Sequence, residues 1–206
     1  MENLLLFFSA SLLLLITPGP SILYISTNSV LYGRRPGLTS VVGVATGLMC
    51  HVLAGTLGLS VLIMNSSYGF EVVKWIGAVY LIITGVKSLL RSPAIQKRKS
   101  ELVKPIESAH FRGGVITAIF NPKVALFFIA FIPQFVDPSL GAVHWQMLLL
   151  GTVYVLMALV INSIVALLSH LTGTGLMKSN RISKWSSKIS GMIFITLGIR
   201  FAFMNK

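Results

Sequence analysis

Acidic side chains are scarce in this sequence: 5 Asp and Glu stand against 17 Lys and Arg in 206 residues, for a formal charge of +12. Charge of either sign is thin as well, at 11% of residues, where a soluble domain carries about 25%. With 54% hydrophobic residues and a mean hydropathy of +0.84, that scarcity excludes an ordinary water-soluble domain. Cysteine is limited to Cys50, which cannot close an intrachain disulfide and does not suit a membrane thiol-disulfide carrier, whose exchange chemistry uses a pair. There is no H-E-x-x-H, no G-x-S-x-G and no carboxylate deep inside an apolar run, so zinc proteases, α/β-hydrolases and intramembrane acid-base enzymes lack their groups. Cys50 and His51 are neighbours, but adjacent helix positions point about 100° apart, and two ligands are too few for an isolated zinc site. The expectation is a protein with no catalytic residues, no metal and no cofactor.

What is abundant is apolar sequence in long runs. A hydrocarbon core of about 30 Å needs roughly 20 helical residues, and six runs qualify: Leu4 to Leu31, Leu38 to Met64, Val72 to Leu90, Gly113 to Val136, Trp145 to Ser169 and Ser186 to Met204. Within the first, Leu4 to Ile16 has the length of a signal h-region, but Glu2 replaces the positive n-region and no A-x-A-like site follows, so the run reads as a retained span. Little chain is left for a soluble domain.

The placement of positive charge orients these spans. Arg34 and Arg35 lie between spans one and two, 6 Lys and Arg lie from Arg91 to Arg112, and 4 from Lys178 to Lys188. The alternate loops, "NSSYGFE" and "DPSLGAVH", carry none. By the positive-inside rule both termini are outside and the basic loops cytoplasmic. The charge therefore serves topology and lipid headgroups, not nucleic acid.

Six spans with both ends on one side divide into two three-span units of opposite orientation. Span three, "KWIGAVYLIITGVKSLL", aligns with span six, "KISGMIFITLGIRFAF", so that with one gap Lys74, Gly77, Gly85 and Lys87 pair with Lys188, Gly191, Gly198 and Arg200. The first span of each unit is interrupted, by Thr17-Pro18-Gly19-Pro20 and by Asn121-Pro122-Lys123. The predicted fold is an all-α integral membrane protein of six transmembrane helices, arranged as two inverted three-helix repeats with broken first helices. It forms one transmembrane domain, residues 1–206, with repeat one over 1–90, a cytoplasmic linker over 91–112 and repeat two over 113–206. Corresponding broken helices point to a transporter site near the midplane.

Prolines remove backbone donors, and carbonyls so freed are tolerated in lipid where they face protein or a water-lined cavity. Such ends suit ions and zwitterions: freed carbonyls favour ammonium groups and half-helix N-termini favour anions. The alternative is a plain kink, since proline is common in membrane helices. Candidate substrate-binding residues are accordingly Thr17, Pro18, Gly19, Pro20, Asn121, Pro122 and Lys123. For Lys123, about eleven residues into span four, no acidic residue stands at its own depth. It is neutral, or held by freed carbonyls near Pro18 or Pro122, or paired with a substrate carboxylate, or it snorkels to an interface. In span two, Gly43, Gly47 and His51 recur every fourth residue, a small-residue stripe for close helix approach. His51 is then either a proton-coupling group, since an intramembrane ionisable residue is functional by default, or a neutral interhelical hydrogen-bonder. Asn162, between Ala158 and Ala166 on a similar stripe, is either a substrate contact or an interhelical hydrogen-bonder.

The "TPGP" of span one, the short "GRRPG" loop leading into "GLTSVVGVATGLMCHVLAGTLGLS", the "WIGAVYLIITGVKSLL" of span three and the "FNPKVALFFIAFIPQFV" of span four together resemble the LysE/RhtB family of amino-acid exporters, over nearly the whole chain. The resemblance implies a six-helix carrier of the bacterial inner membrane. Its cargo would be an amino acid or derivative of the threonine, homoserine, homoserine lactone or leucine type, exported by proton antiport. Its partners would be that small molecule, protons and membrane lipid, with monomer and homodimer both open. Export of a metal or inorganic ion is the alternative, a channel another.

Overall fold

In a computed structural model of the chain the described residues are 2–59 and 107–172, with isolated positions between Glu71 and Leu90 and between Lys188 and Phe203. Among them every regular element is helical. Helix α1 covers Glu2–Ile16 and α2 covers Pro20–Tyr32; α3 runs over Arg34–Ala54 and widens into a π turn at Gly55–Leu59. Helix α4 covers Glu107–Ile119 and α5 covers Pro122–Leu126, continued by a π turn at Phe127–Phe131 and a 3-10 turn at Ile132–Phe135. Helix α6 spans Val143–Thr172. Its 30 residues are about 45 Å long, more than the hydrocarbon thickness. Helix α6 and α3 with its π turn are each long and apolar enough to cross a membrane, and the bent pairs α1–α2 and α4–α5 make two further candidate spans. Spans three and six fall largely outside the described residues, as do residues 91–106 of the linker.

Both breaks arise from proline. Helices α1 and α2 meet at 50°, and α4 bends by 56° into the segment that follows it. Pro18 cannot supply the amide proton that the Leu14 carbonyl would receive four residues back, and Pro20 withholds the one for Ile16. Pro20 then opens α2, where a missing donor has no cost. At the second break the Asn121 side chain accepts from the Lys123 amide at 3.1 Å and caps α5.

Two expected boundaries move. The "GRRPG" stretch is not a loop: Gly33, at φ 101, closes α2 and opens α3 in one residue, and Arg34 and Arg35 already belong to α3. That backbone angle suits glycine because a Cβ would clash, while Pro36 in a first helical turn gives up a donor that has no intrahelical acceptor. Likewise α4 begins at Glu107, six residues before the expected start of span four, so 107–112 are helix and not linker. Hydropathy marks where a helix enters lipid; the polar turns preceding that point are helical all the same.

Helix α3 packs against α2, α4 and α6. Between helices in lipid there is no hydrophobic drive, and close backbone approach with interhelical hydrogen bonds takes its place. The stripe of α3 does this against α4. A Cβ on Gly43 would collide with the Phe111 carbonyl oxygen, and one on Gly47 would lie 2.7 Å from the Ala118 methyl and from the Val115 carbonyl. Reciprocally, a Cβ on Gly114 would sit 2.7 Å from the Ser40 carbonyl. Polar bonds join α2 to its neighbours: Ser26 and Ser169 hydroxyls at 2.8 Å, the Ser29 hydroxyl donating to the Ala166 carbonyl, and the Asn28 amide donating to Ser40 at 2.9 Å. At this basic end Arg35 and Glu107 pair at 3.0 Å with both side chains exposed, a contact worth about 0–1 kcal/mol. At the opposite end Phe7, Phe127, Phe131 and Phe135 stack in an aromatic layer. On α6, Tyr154, Ala158, Asn162 and Ala166 are buried while Leu149, Leu156, Val160, Ile164 and Leu168 are exposed at helical spacing, an apolar outer face suited to lipid.

Candidate functional site

The two breaks face each other across the bundle. Asn121, 2% exposed, uses its side-chain amide to donate to the Ser21 hydroxyl in the first turn of α2 at 3.2 Å. Lys123, one position into α5 beyond Pro122, reaches back to the end of α1. Its ammonium donates to the carbonyl oxygens of Leu14 and Thr17, both at 2.8 Å, the short distance of a charge-assisted bond. The Leu14 carbonyl is the one Pro18 leaves without an amide donor, so the lysine replaces the missing bond. Thr17, just past α1, donates its hydroxyl to the Leu13 carbonyl at 2.6 Å and contributes its carbonyl to the ammonium. Gly19 lies alongside: a Cβ there would be 3.5 Å from the ammonium nitrogen.

Lys123 lies within hydrogen-bonding distance of freed carbonyls near Pro18, the contact that one of its four readings expects. An ammonium carries three donors, and two are committed to α1. Next to it is a cavity lined by Gly19, Ser21, Asn121, Lys123, Tyr154 and Asn162, with Leu15, Ile22, Val44, Leu48 and Val124 as apolar walls. Its volume of about 20 Å³ holds roughly one water molecule, so binding anything as large as an amino acid requires the helices to part. Asn162 is buried and lines this cavity. Tyr154 lines it as well, its ring 4.3 Å from that of Phe127 and edge-on to Phe128. Among the described residues no carboxylate lines the cavity.

Tyr154 and Ser21 were not singled out from the sequence. For Tyr154 a signal existed: the stripe of Ala158, Asn162 and Ala166 continued one turn back lands on it. Ser21 had none beyond its place after Pro20.

His51 stands elsewhere. Its Nε2 lies 3.2 Å from the Ala118 carbonyl and donates to it, and its ring stacks on Phe128 at 5.9 Å; it is not among the cavity-lining residues. Ala118 is four residues before Pro122, so its carbonyl is the one that the second proline deprives of an α-helical donor; it also takes the Asn121 amide at 3.1 Å. Two of the proline-freed carbonyls are therefore answered by an ionisable side chain from the other half of the chain: Leu14 by Lys123, Ala118 by His51. Cys50 beside it is exposed. Among the described residues no three His, Cys, Asp or Glu side chains gather as a metal set.

Apolar helices, two of them broken at facing prolines around a small polar cavity, define an integral membrane protein built to admit something polar. The chain belongs to the LysE type translocator family, whose profile matches residues 12–205. It is thus a membrane transporter and not an enzyme. Similar proteins include a membrane protein of Vibrio cholerae, 31% identical over 91% of this chain and 90% of its own, and the membrane protein YrhP of Bacillus subtilis, 29% identical over 97% and 98%. The homoserine/homoserine lactone efflux protein of Salmonella typhimurium is 29% identical over 93% of this chain and 92% of its own. No solved structure matches.

Proposed function

We propose that this translocator exports small neutral amino acids or their derivatives from the bacterial cytoplasm by proton antiport. One observation carries the reading: the break between α1 and α2 offers the two charges of a zwitterion opposite surroundings a few residues apart. The carbonyls of Leu14 and Thr17, at and just past the end of α1, suit an ammonium, and the first turn of α2, at Ser21 and Ile22, lines the cavity beside Lys123 with the positive end of a helix dipole. Asn121, Asn162 and Tyr154 add neutral hydrogen-bonding groups. With no carboxylate in the lining, a second positive charge on the cargo has no partner, which disfavours dibasic amino acids. The efflux name of the Salmonella relative points to homoserine and threonine as first probes.

Six spans in two inverted repeats, residues 1–90 and 113–206, complete the proposal, with a cytoplasmic linker between them and both termini periplasmic. Reciprocal glycine contacts support it. A Cβ on Gly85 would meet the Gly191 carbonyl at 2.6 Å, and one on Gly198 would meet the Ala78 carbonyl at 2.8 Å. Exchanging repeat partners, Gly85 for Gly198 and Gly191 for Gly77, turns the first contact into the second to within one residue. A reporter fused after Lys206 is then expected to read periplasmic and one inserted near Arg98 cytoplasmic; both on one side would remove the inverted-repeat arrangement.

The function itself is tested in proteoliposomes, where labelled homoserine or threonine should exchange against the unlabelled amino acid and accumulate down an imposed pH gradient. An ion exporter would show no such counterflow. His51, whose ring bonds the carbonyl at the second break, is proposed to relay protons to and from the site. His51→Ala should lower pH-driven export several-fold more than exchange at equal pH; an equal fall in both would make His51 a packing residue.

A further inference from the structure

The carbonyl pair that holds Lys123 is also the place where a cargo ammonium would sit, and the two cannot be there together. A primary ammonium on an amino acid has the same three N–H donors as the lysine and the same affinity for backbone oxygens at a broken helix. Two such cations within a few ångströms repel strongly in a medium of low dielectric. Building on the amino-acid reading above, we propose that the Leu14 and Thr17 carbonyls form one shared ammonium site, filled by protonated Lys123 in the empty carrier and by the cargo's ammonium in the loaded one, so that Lys123 carries the exchanged proton.

The cycle balances with one proton and no further reactant. Facing the cytoplasm, Lys123 gives its proton to water and withdraws as a neutral amine, and the amino acid's ammonium takes the two carbonyls. Facing outward, the amino acid leaves, the amine takes a proton from the periplasmic side, and the new ammonium returns to Leu14 and Thr17. One amino acid moves out for one proton in. No carboxylate is needed, in keeping with a cavity that has none. Among the described residues around the carbonyl pair, Lys123 is the group able to act this way. From α6 the facing titratable side chain is Tyr154, and α2 presents Ser21 and Ile22. Helix α1 presents carbonyls, and His51 of α3 is engaged with Ala118 and Phe128. The charged pair Arg35 and Glu107 lies at the exposed basic end, and Asp137 is likewise exposed, bonded to Ser139 beyond the far end of α5.

The test begins with the unaltered protein in proteoliposomes, measuring homoserine and threonine exchange at equal pH on both sides. The half-saturating concentration should rise as pH falls, approaching about tenfold per pH unit, the limit for release of one proton on binding. Exchange that shows no such competition overturns the proposal. Lys123→Arg, whose guanidinium does not deprotonate, should keep the site filled and abolish both binding and exchange. Lys123→Met should still be stabilised against thermal unfolding by the amino acid, with an affinity flat in pH, and should move no protons into vesicles loaded with a pH dye. An arginine carrier that exchanges, or a folded methionine carrier that no longer binds, would make Lys123 the counter-ion of the cargo carboxylate instead. A methionine carrier that remains pH-coupled would place the proton elsewhere, His51 first. Absence of any amino-acid exchange by the unaltered protein would strike the functional reading itself, and this proposal with it.

Discussion

A carrier with Pro18 and Pro20 both replaced by alanine is expected to insert, to unfold in detergent at a temperature no lower than the parent, and to lose export about tenfold or more. The two effects share one cause. Alanine restores amide donors to the Leu14 and Ile16 carbonyls, and relief of proline in a helix interior, at about 3 kcal/mol for each, offsets the loss of the two bonds to Lys123, worth about 1.5–3 kcal/mol each. Straightening the 50° bend removes the carbonyl pair from Lys123 and turns the first turn of α2 away from the cavity. Loss of one well-placed polar partner at about 1.4 kcal/mol is already a factor of ten in binding. Thermal unfolding and proteoliposome exchange on the same preparation check both halves. A double variant that exports as the parent does would reduce the break to a kink.

Gly43→Leu should fail in the opposite way, losing the fold and with it the function. Its Cβ would fall on the Phe111 carbonyl oxygen and 2.9 Å from the carbonyl carbon, so backbone meets side chain and no rotamer relieves the contact. Overpacking costs about 1–3 kcal/mol and occasionally more, and here α3 would have to withdraw from α4 along the stripe it shares with Gly47 and Gly114. Gly58→Leu on the same helix line is the control, since nothing lies within 4 Å of a Cβ there. A lowered yield of monodisperse protein and a fall in unfolding temperature for the first variant, with neither for the second, is the expected pattern. Equal behaviour would mean that the α3–α4 approach is looser than described.

How much of this was legible beforehand depended on how local the cause was. Pro18, Pro20 and Pro122 announce the breaks because a missing amide donor acts four residues away, within sight of a linear reading. The stripes of Gly43, Gly47 and His51, and of Ala158, Asn162 and Ala166, announce inward faces because helical spacing is local too, and both stripes do face protein. Helix ends were less legible: Arg34, Arg35 and residues 107–112 are helical but not apolar, and hydropathy passes over them.

By itself, then, the sequence determined that the chain lives in a membrane, where its helices break and which faces turn inward, because composition, proline chemistry and the 3.6-residue period require no knowledge of distant neighbours. Only the tertiary structure decided which groups the intramembrane ionisable side chains meet. Lys123 finds its acceptors 106 and 109 residues away, and His51 finds Ala118 at a separation of 67. An ammonium at membrane depth must be satisfied by something; which of several chemically acceptable partners it meets is set by how the two broken helices cross, and that crossing is fixed by glycine contacts between other pairs of elements.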